Sequence, residues 1–134
     1  MQSGARLRYK ADVKGKLKNF ARHAPTKTAR AAKVELEVEK RESMRRTPKK
    51  TGAAAASHKV SEPIVTPDGV SVEVTAGDEK TESYIIPLHE NLEAHHVNGQ
   101  AKFLESTMNE SAPFIAGRIA RRVEIDDSWV SPKT

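Results

Sequence analysis

The chain has 134 residues, a net charge of +5, no cysteine, and a hydrophobic share of 37% with only 4% aromatic residues. This length fits one domain, 1–134, and the thin apolar content indicates that part of its ordering comes from neighbours in an assembly. The absence of cysteine excludes disulfides, thiolate metal sites and thiol nucleophiles. No apolar run approaches the roughly 20 residues that span a bilayer, and Met1–Arg6 lacks the apolar core of a signal peptide. We therefore expect no membrane segment and a protein that works where it is made.

The charge is divided unevenly along the chain. Residues 1–50 carry 16 Lys and Arg against 5 Asp and Glu, or +11, whereas residues 51–134 carry 7 against 13, or −6. This asymmetry predicts either an arm that faces nucleic acid or a head-to-tail contact between unlike faces of identical subunits. A solvated basic helix is a third explanation of the same pattern.

The N-terminal region begins without clear periodicity. Residues 1–11 are expected to form an extended arm or a short strand. From Asp12, a candidate N-cap, apolar residues recur at helical spacing as far as Ala21, which predicts a first helix. Pro25 interrupts this pattern.

A second helix is predicted from the N-cap Thr26 to about Arg46, so that 12–46 is largely helical. Within it, residues 34–39 alternate strictly between apolar and acidic side chains, as a strand does. We favour a helix because the flanks are rich in Ala, Lys, Arg and Glu and no turn signal divides the stretch. Pro48 ends the helix, since the residue before a proline avoids the helical region.

The region 57–90 is predicted to form an antiparallel sheet. After the small-residue run Ala53–Ala56, strand-like segments cover 58–61 and 64–66. Pro67-Asp68-Gly69 then has the composition of a turn, because proline presets φ and glycine allows a positive φ. The next segment places Val70, Val72 and Val74 in alternation with polar residues, which is the clearest half-buried strand in the chain.

A further strand is predicted over 84–89, with Pro87 placing it at a sheet edge or a bend. A polar loop follows, and the last helix is expected over 99–121. A break or kink is predicted in that helix at Pro113, and 126–134, which contains Trp129, is expected to be a tail. The apolar stripe of the helix consists of Leu104, Met108, Ala112, Ile115 and Ile119, widened by Phe103 and Phe114. The order α-α-β-β-β-α, with locally joined strands, indicates an α+β fold with N-terminal helices, a small antiparallel sheet of three to four strands, and a C-terminal helix packed on the sheet.

The titratable residues form no recognisable catalytic motif. Neither a nucleophile elbow nor a phosphate-binding loop occurs, so we expect no enzyme, no cofactor and no catalytic residue. The acidic residues Glu35, Glu37 and Glu39 are expected on a solvated helix face. The spacing of the histidines does not match a helical zinc pattern, so we expect no metal site and place them in loops or interfaces. The five histidines are His23, His58, His89, His95 and His96.

The stretch 41–50 is strongly basic and lacks interleaved aromatic residues. If it meets nucleic acid, we expect contact with phosphates without sequence readout. In an assembly the same residues would lie at an interface or face a DNA channel. These residues are Arg41, Arg45, Arg46, Lys49 and Lys50.

Two ordered segments, over residues 45–60 and 84–104, resemble the neck, or tail-completion, protein family of long-tailed double-stranded-DNA bacteriophages. The first runs from Arg45 through Thr51-Gly52-Ala53 to Val60, similar to that family's passage from a helix through Pro and Thr-Gly-Ala into a strand. The second runs from Tyr84 to Glu90 and continues with Gly99-Gln100-Ala101-Lys102-Phe103-Leu104, similar to a tyrosine-bearing strand that ends in His-Glu and a Gly-x-x-Phe-Leu helix entry. The chain departs from the family pattern at Ala54 and Ala55, where Leu and a basic residue are usual.

Elementary chemistry assigns structural roles to these positions. Gly52 is expected to supply a positive φ where the long helix turns back toward the sheet. Phe103 and Leu104 are expected to bury the start of the last helix against Val72, Val74 and Ile86. Together with Ala53 and Tyr84, these residues are the expected turn and core positions.

The resemblance implies a structural function in the virion. It implies a six- or twelve-fold ring of identical subunits at the head-to-tail junction, through which DNA passes. The implied partners are further copies of the chain, head-completion or adaptor proteins, tail-terminator or tail-tube proteins and, without sequence preference, packaged DNA. Assembly would take place in the host cytoplasm. A tail terminator, a minor capsid protein and a free basic DNA-binding protein are the alternatives.

Overall fold

The computed structural model describes residues 6–48, 52–90 and 101–125. The expected 99–100 and 126–134 therefore lie outside the described residues. The chain forms an α+β fold, as predicted, in which helices pack on a four-stranded antiparallel sheet. In chain order the elements are β1 (Leu7–Lys14), a 3₁₀ turn (Gly15–Leu17), α1 (Lys18–His23), α2 (Pro25–Arg46), α3 (Ala53–Ala56), β2 (Lys59–Val60), β3 (Ile64–Thr66), β4 (Gly69–Ala76), α4 (Ile85–Glu90) and α5 (Phe103–Ile125).

Strand β4 is the centre of the sheet. It pairs with β1 along eight residues, from Leu7↔Ala76 to Lys14↔Gly69, and with the short β2 and β3 on its other side. The predicted alternation of apolar and polar residues in β4 is confirmed, because every second side chain of a strand points to the same face. The inward residues Val70, Val72, Val74 and Ala76 are buried in the main core.

The predicted helix from Asp12 is wrong, because β1 continues through this residue to Lys14. Its inward positions are apolar, with Leu7 and Ala11 buried, and Asp12 is exposed on the strand and caps no helix. The short helix α1 begins at Lys18. The strand exists because β4 supplies its hydrogen-bond partners from more than 50 residues away along the chain, which no local pattern reveals.

Helix α2 confirms the preference for helix over strand at residues 34–39. It begins at Pro25, whose missing N–H is harmless in the first turn, so the N-cap is Ala24 and the predicted N-cap Thr26 is wrong. At its other end, Thr47 is extended at φ −72° and ψ 134°, as expected before Pro48.

The strand predicted over 84–89 is wrong, because Ile85–Glu90 is the helix α4. The preceding turn is built by Asp78, whose carboxylate accepts a hydrogen bond from the Thr81 N–H at 3.1 Å. The Thr81 carbonyl then accepts the Ile85 N–H at 2.8 Å. Pro87 lies in the first turn of α4, where N–H groups lack intrahelical partners, so it does not oppose the helix.

The last helix, α5, begins at Phe103 and runs to Ile125. The predicted break is wrong, since the helix continues through Pro113. Most of its predicted stripe is buried in the core, as Leu104, Met108, Ile115 and Ile119 show. Ala112 and Phe114 are exposed instead, and the side chain of Phe114 retains 56% of its accessible surface.

Candidate interaction surfaces

The turn before α3 has the backbone conformation that the sequence predicts. Gly52 has φ +84° and precedes Ala53, the first residue of α3. Its carbonyl accepts the N–H of Ala56 at 3.0 Å. A Cβ at Gly52 would meet no atom within 4 Å, so the requirement for glycine comes from the backbone angle and not from space. Ala54 and Ala55, where the chain departs from the family pattern, are buried.

Four of the predicted core residues share one core. Val72, Val74, Phe103 and Leu104 are each at most 2% exposed and belong to the same cluster.

The predicted core roles of Tyr84 and Ile86 are wrong, since these side chains are 36% and 37% exposed. A strand would have put residues 84 and 86 on one inward face. In the helix α4 the inward positions are instead Ile85 and His89, which are four residues apart.

A serine and a histidine form a hydrogen bond inside the core. The Nδ1 of His58 faces the carbonyl oxygens of Ala54 and Ala55 at 3.2 and 3.0 Å, so Nδ1 carries the proton. Its Nε2 then accepts a hydrogen bond from the Ser43 hydroxyl at 2.8 Å. Burial lowers the pKa of His58 to about 4, so the ring is neutral at pH 7. Ser43 and His58 are 0% and 5% exposed, so a substrate cannot reach this pair; it ties α2 to the segment after α3.

A second histidine cluster fixes the start of α5. His89 Nδ1 donates to Glu90 Oε2 at 2.7 Å, and its Nε2 accepts the backbone N–H of Glu105 at 3.3 Å. Lys102 forms ion pairs with Glu90 and, at 3.5 Å, with Glu105. Hydrogen bonds from Lys102 and His89 lower the pKa of Glu90. Although His89, Glu90 and Glu105 could hold a cation by type and distance, both histidine nitrogens and the carboxylates already have protein partners.

Two arginines of the basic stretch form hydrogen bonds and ion pairs within the chain. Arg46 donates to Glu110 at 2.6 Å and to Ser106 at 3.0 Å, which pins the end of α2 to α5. Both Arg45 and Arg46 bind Glu42, and their hydrogen bonds lower its pKa to about 2. Arg41 is exposed. The remaining predicted basic residues, Lys49 and Lys50, lie outside the described residues.

The predicted solvated face of Glu35 and Glu39 is wrong, because these side chains are 1% and 3% exposed at the contact between α2 and α5. Glu35 Oε1 accepts a hydrogen bond from Arg122 at 3.0 Å, and Glu39 Oε2 accepts one from Arg118 at 3.3 Å. Ser111 also donates to Glu39. Burial, together with a hydrogen bond to Glu35, raises the pKa of Glu39.

Helical phase explains this burial. Residues 35 and 39 are four apart and share the side of α2 that meets α5. The neighbouring Val34 and Val38 are therefore turned toward solvent and are 41% and 38% exposed. The alternation that resembled a strand thus gives α2 two sides. Glu35 and Glu39 form an ionic seam with Arg118 and Arg122 of α5, and Val34 and Val38 form an apolar outer stripe.

We define the α2–α5 outer face as the exposed apolar side chains Val34, Val38, Phe114 and Ile125. Val34 and Ile125 line one groove of about 220 Å³, flanked by Arg30 and Arg122. Phe114 and Ile125 are 56% and 68% exposed.

Arg118 contacts both the exposed Phe114 ring and the buried carboxylates between α2 and α5. Its guanidinium carbon lies 5.4 Å from the centre of the Phe114 ring. Its Nη1 also contacts Glu35 Oε2 at 3.6 Å. Apolar side chains in this arrangement, rimmed by arginines, are typical of an interaction surface.

We define the β1 groove as the space between β1 and α5. Residues 9–13 of β1 and Ala112, Ile115 and Ala116 of α5 enclose a volume of about 370 Å³. Among the described residues β1 pairs only with β4, and none of them pairs with its other edge. Sequence reasoning missed this groove because it left residues 1–11 as an extended arm or a short strand and began a helix at Asp12.

Comparisons with known proteins add no assignment: no family model, no curated protein and no solved structure matches the chain. In the described part of the chain, none of the helices combines the length and the apolar content needed to cross a membrane.

Proposed function

We propose that this chain is a structural subunit of the head-to-tail junction of a long-tailed bacteriophage, where it forms a ring of six or twelve copies through which DNA passes. It acts by assembly and not by catalysis. The resemblance of its two ordered segments to the neck, or tail-completion, family motivates the location. The observation that carries an assembly function is the α2–α5 outer face.

That face is suited to a rigid contact. Phe114 and Ile125 each leave more than half of their surface in water, which is unfavourable for large apolar groups unless a partner covers them. The helices beneath are joined by Glu35–Arg122 and Arg46–Glu110, at 3.0 and 2.6 Å. The apolar side chains are therefore presented by a pair of helices in one fixed register.

Charge supports a head-to-tail contact between copies. Arg30, Arg41 and Arg121 lie on exposed positions of the two long helices. Exposed acidic residues lie on the loop before α4, at Glu79 and Glu82, and also on α5, at Glu110 and Glu124. A contact between unlike faces of identical subunits generates a ring when the rotation closes.

The ring explains the basic stretch better than free DNA binding does. Two of its five residues, Arg45 and Arg46, already neutralise Glu42 and Glu110 within the subunit. A sequence-independent DNA-binding monomer would show affinity for duplex DNA that falls steeply with salt. Weak or absent binding by the monomer is expected here.

Electron microscopy and mass measurement of the purified chain test the assembly. Wild type is expected to form rings of six or twelve copies, and Val38→Glu combined with Phe114→Glu is expected to leave monomers. Ile64→Glu is the matched control, because Ile64 is 63% exposed on the sheet side of the molecule.

Particles lacking the protein test its place in the virion. Filled heads and unjoined tails are expected for a neck subunit, whereas tails of irregular length would indicate a terminator. Intact junctions without the protein, or a wild-type chain that stays monomeric at all concentrations, would overturn the proposal.

A further inference from the structure

A second exposed patch, at α4, combines acidic and apolar side chains. We define the α4 surface as Glu79, Glu82, Tyr84 and Ile86, all of which are exposed. Tyr84 and Ile86 keep 36% and 37% of their accessible surface. An aromatic and a branched apolar side chain exposed side by side are typical of a contact with another protein.

The backbone before α4 holds this surface in one arrangement. The Thr81 carbonyl accepts the N–H of Ile85 at 2.8 Å, so a helical turn runs from Thr81 into α4. Ile85 is fully buried and anchors that turn in the core. Glu82 and Ile86 are four residues apart and lie on the same outward side of the turn. A carboxylate and an apolar side chain are therefore presented together.

The α2–α5 outer face has a similar apolar content. Arg121 lies seven residues after Phe114 and four before Ile125, so these exposed residues share one side of α5. At the Ile125 end, Val34 and Arg30 complete the groove of about 220 Å³. A cavity of about 150 Å³ holds a benzene-sized group, so this groove accommodates one large apolar side chain.

The charges of the two surfaces have opposite sign. Residues 118–125 carry three arginines against Glu124, or +2, whereas residues 79–86 carry two glutamates against Lys80, or −1. Two of the three arginines contact the buried carboxylates of the ionic seam. Arg121 is exposed and is the arginine best placed to meet a carboxylate of another molecule.

We propose that the α4 surface of one copy of the chain binds the α2–α5 outer face of the next copy. Glu82 of one copy pairs with Arg121 of its neighbour. Tyr84 and Ile86 cover the groove beside Ile125. The apolar contact supplies most of the affinity, and the ion pair selects the partner surface and its orientation.

The position of the two surfaces in the fold favours a contact between copies. The His89 ring of α4 lies 4.7 Å from the Phe103 ring, which places α4 at the start of α5. Ile125 ends the same helix, about 33 Å further along at about 1.5 Å per residue. The two surfaces lie too far apart to meet within one chain. Pairing one outer face with another outer face would instead bring arginines together.

This inference rests on the proposed function, because it names the contact that joins one subunit to the next. The α4 surface and the outer face are unlike surfaces at opposite ends of one long helix. Such a contact is heterologous and can be repeated around a ring.

The test reverses one charge on each surface of the full-length chain. Glu82→Arg and Arg121→Glu each place like charges in contact and are expected to weaken self-association about tenfold or more. Sedimentation velocity measures the association, and circular dichroism checks that each variant is folded. Asp68→Arg and Arg8→Glu are the matched controls, because they reverse exposed charges on the sheet and are expected to leave association unchanged.

Mixing the two variants in equal amounts is expected to restore association. The altered α4 surface of Glu82→Arg meets the altered outer face of Arg121→Glu, and the two unaltered surfaces meet at the following contact. Copies therefore alternate, and an even ring of six or twelve closes. Glu79→Arg reverses a neighbouring charge of the α4 surface and repeats the test independently of Glu82.

The outcomes separate this contact from the ring itself. Rings that persist in both single variants, or a mixture that does not recover, would overturn the contact and leave the ring. Loss of association in Arg121→Glu alone would indicate that two outer faces bind each other, which also overturns it. Open chains of wild type with recovery in the mixture would support the contact and overturn the ring, whereas wild type that is monomeric at all concentrations would overturn both.

Discussion

The two halves of the core are held together by different chemistry. On the sheet side, β4 packs apolar residues such as Val72 and Val74, and the contact involves no charge. On the helix side, α2 and α5 meet through the buried carboxylates of Glu35 and Glu39 and the guanidinium groups of Arg118 and Arg122.

Stability and helix register have different sources in this fold. Apolar contacts supply most of the free energy of folding and tolerate small shifts. A buried ion pair supplies little net free energy because both groups lose water, but it is strongly unfavourable to leave one partner alone. The apolar core, to which both the sheet and the helices contribute, therefore carries stability, whereas the ionic seam sets how α2 lies along α5.

The largest expected effect is in the apolar core. Phe103→Ala removes a fully buried ring and is expected to lower the free energy of unfolding by about 3–5 kcal/mol. Phe114→Ala on the same helix is the control, because Phe114 is exposed and its loss is expected to cost less than about 1 kcal/mol. Urea denaturation measures both values, and equal losses would contradict the assignment of the core.

The ionic seam should respond differently to single and double substitution. Arg122→Ala leaves the Glu35 carboxylate buried without its closest partner and is expected to destabilise the fold by about 3 kcal/mol. Replacing both residues with leucine is expected to recover most of that loss, because neither member of this pair then leaves a buried charge without its partner. Arg121→Ala, at an exposed neighbouring position, is expected to change stability by less than about 0.5 kcal/mol.

A double variant no more stable than Arg122→Ala alone would show that the seam acts through packing and not through charge. Thermal and urea denaturation at pH 7 distinguish the two cases.

His58 is expected to make the α2–α3 junction sensitive to acid. Burial lowers its pKa in the folded protein to about 4, below the value of about 6.5 in an unfolded chain. As the pH falls through 6.5 the unfolded chain binds the proton first, so this contribution is fully present above pH 6.5 and is lost by about pH 4. The loss amounts to about 3 kcal/mol.

Comparison with His58→Asn isolates that contribution, since carboxylates such as Glu42 also titrate in acid. Between pH 6.5 and 4 the wild type is expected to lose more stability than the variant. Parallel pH profiles in urea denaturation would show that His58 is not protonated in this way.

The smallest expected effect concerns two glycines. Gly52→Ala forces alanine into a φ of +84° and is expected to cost about 1–2 kcal/mol. Gly117→Ala lies in an exposed helical position of α5 and is expected to stabilise the fold by up to about 1 kcal/mol. Thermal denaturation is expected to show a lower melting temperature for Gly52→Ala and a higher one for Gly117→Ala. A lower melting temperature for both variants would contradict the different roles of the two glycines.

Local patterns predicted much of the fold but neither of the two candidate interaction surfaces. The valines of β4, the turn at Gly69 and the stripe from Leu104 to Ile119 follow directly from periodicity. Gly52 follows from backbone geometry. The groove beside β1 and the apolar outer face were not predicted, because each depends on which elements become neighbours.

By itself, the sequence determined the α+β class, the long helix over residues 34–39 despite its alternation, and the central strand. A short strand was one expectation for residues 1–11, but its continuation through Asp12 to Lys14 depends on partners in β4 that lie more than 50 residues away along the chain. Tertiary contacts also favour a helix over 85–90, because Ile85 is buried in the core and the His89 ring packs against the Phe103 ring. The burial of Glu35 and Glu39 has the same cause: residue spacing defines the faces of a helix, but only the position of α5 decides which face becomes the seam.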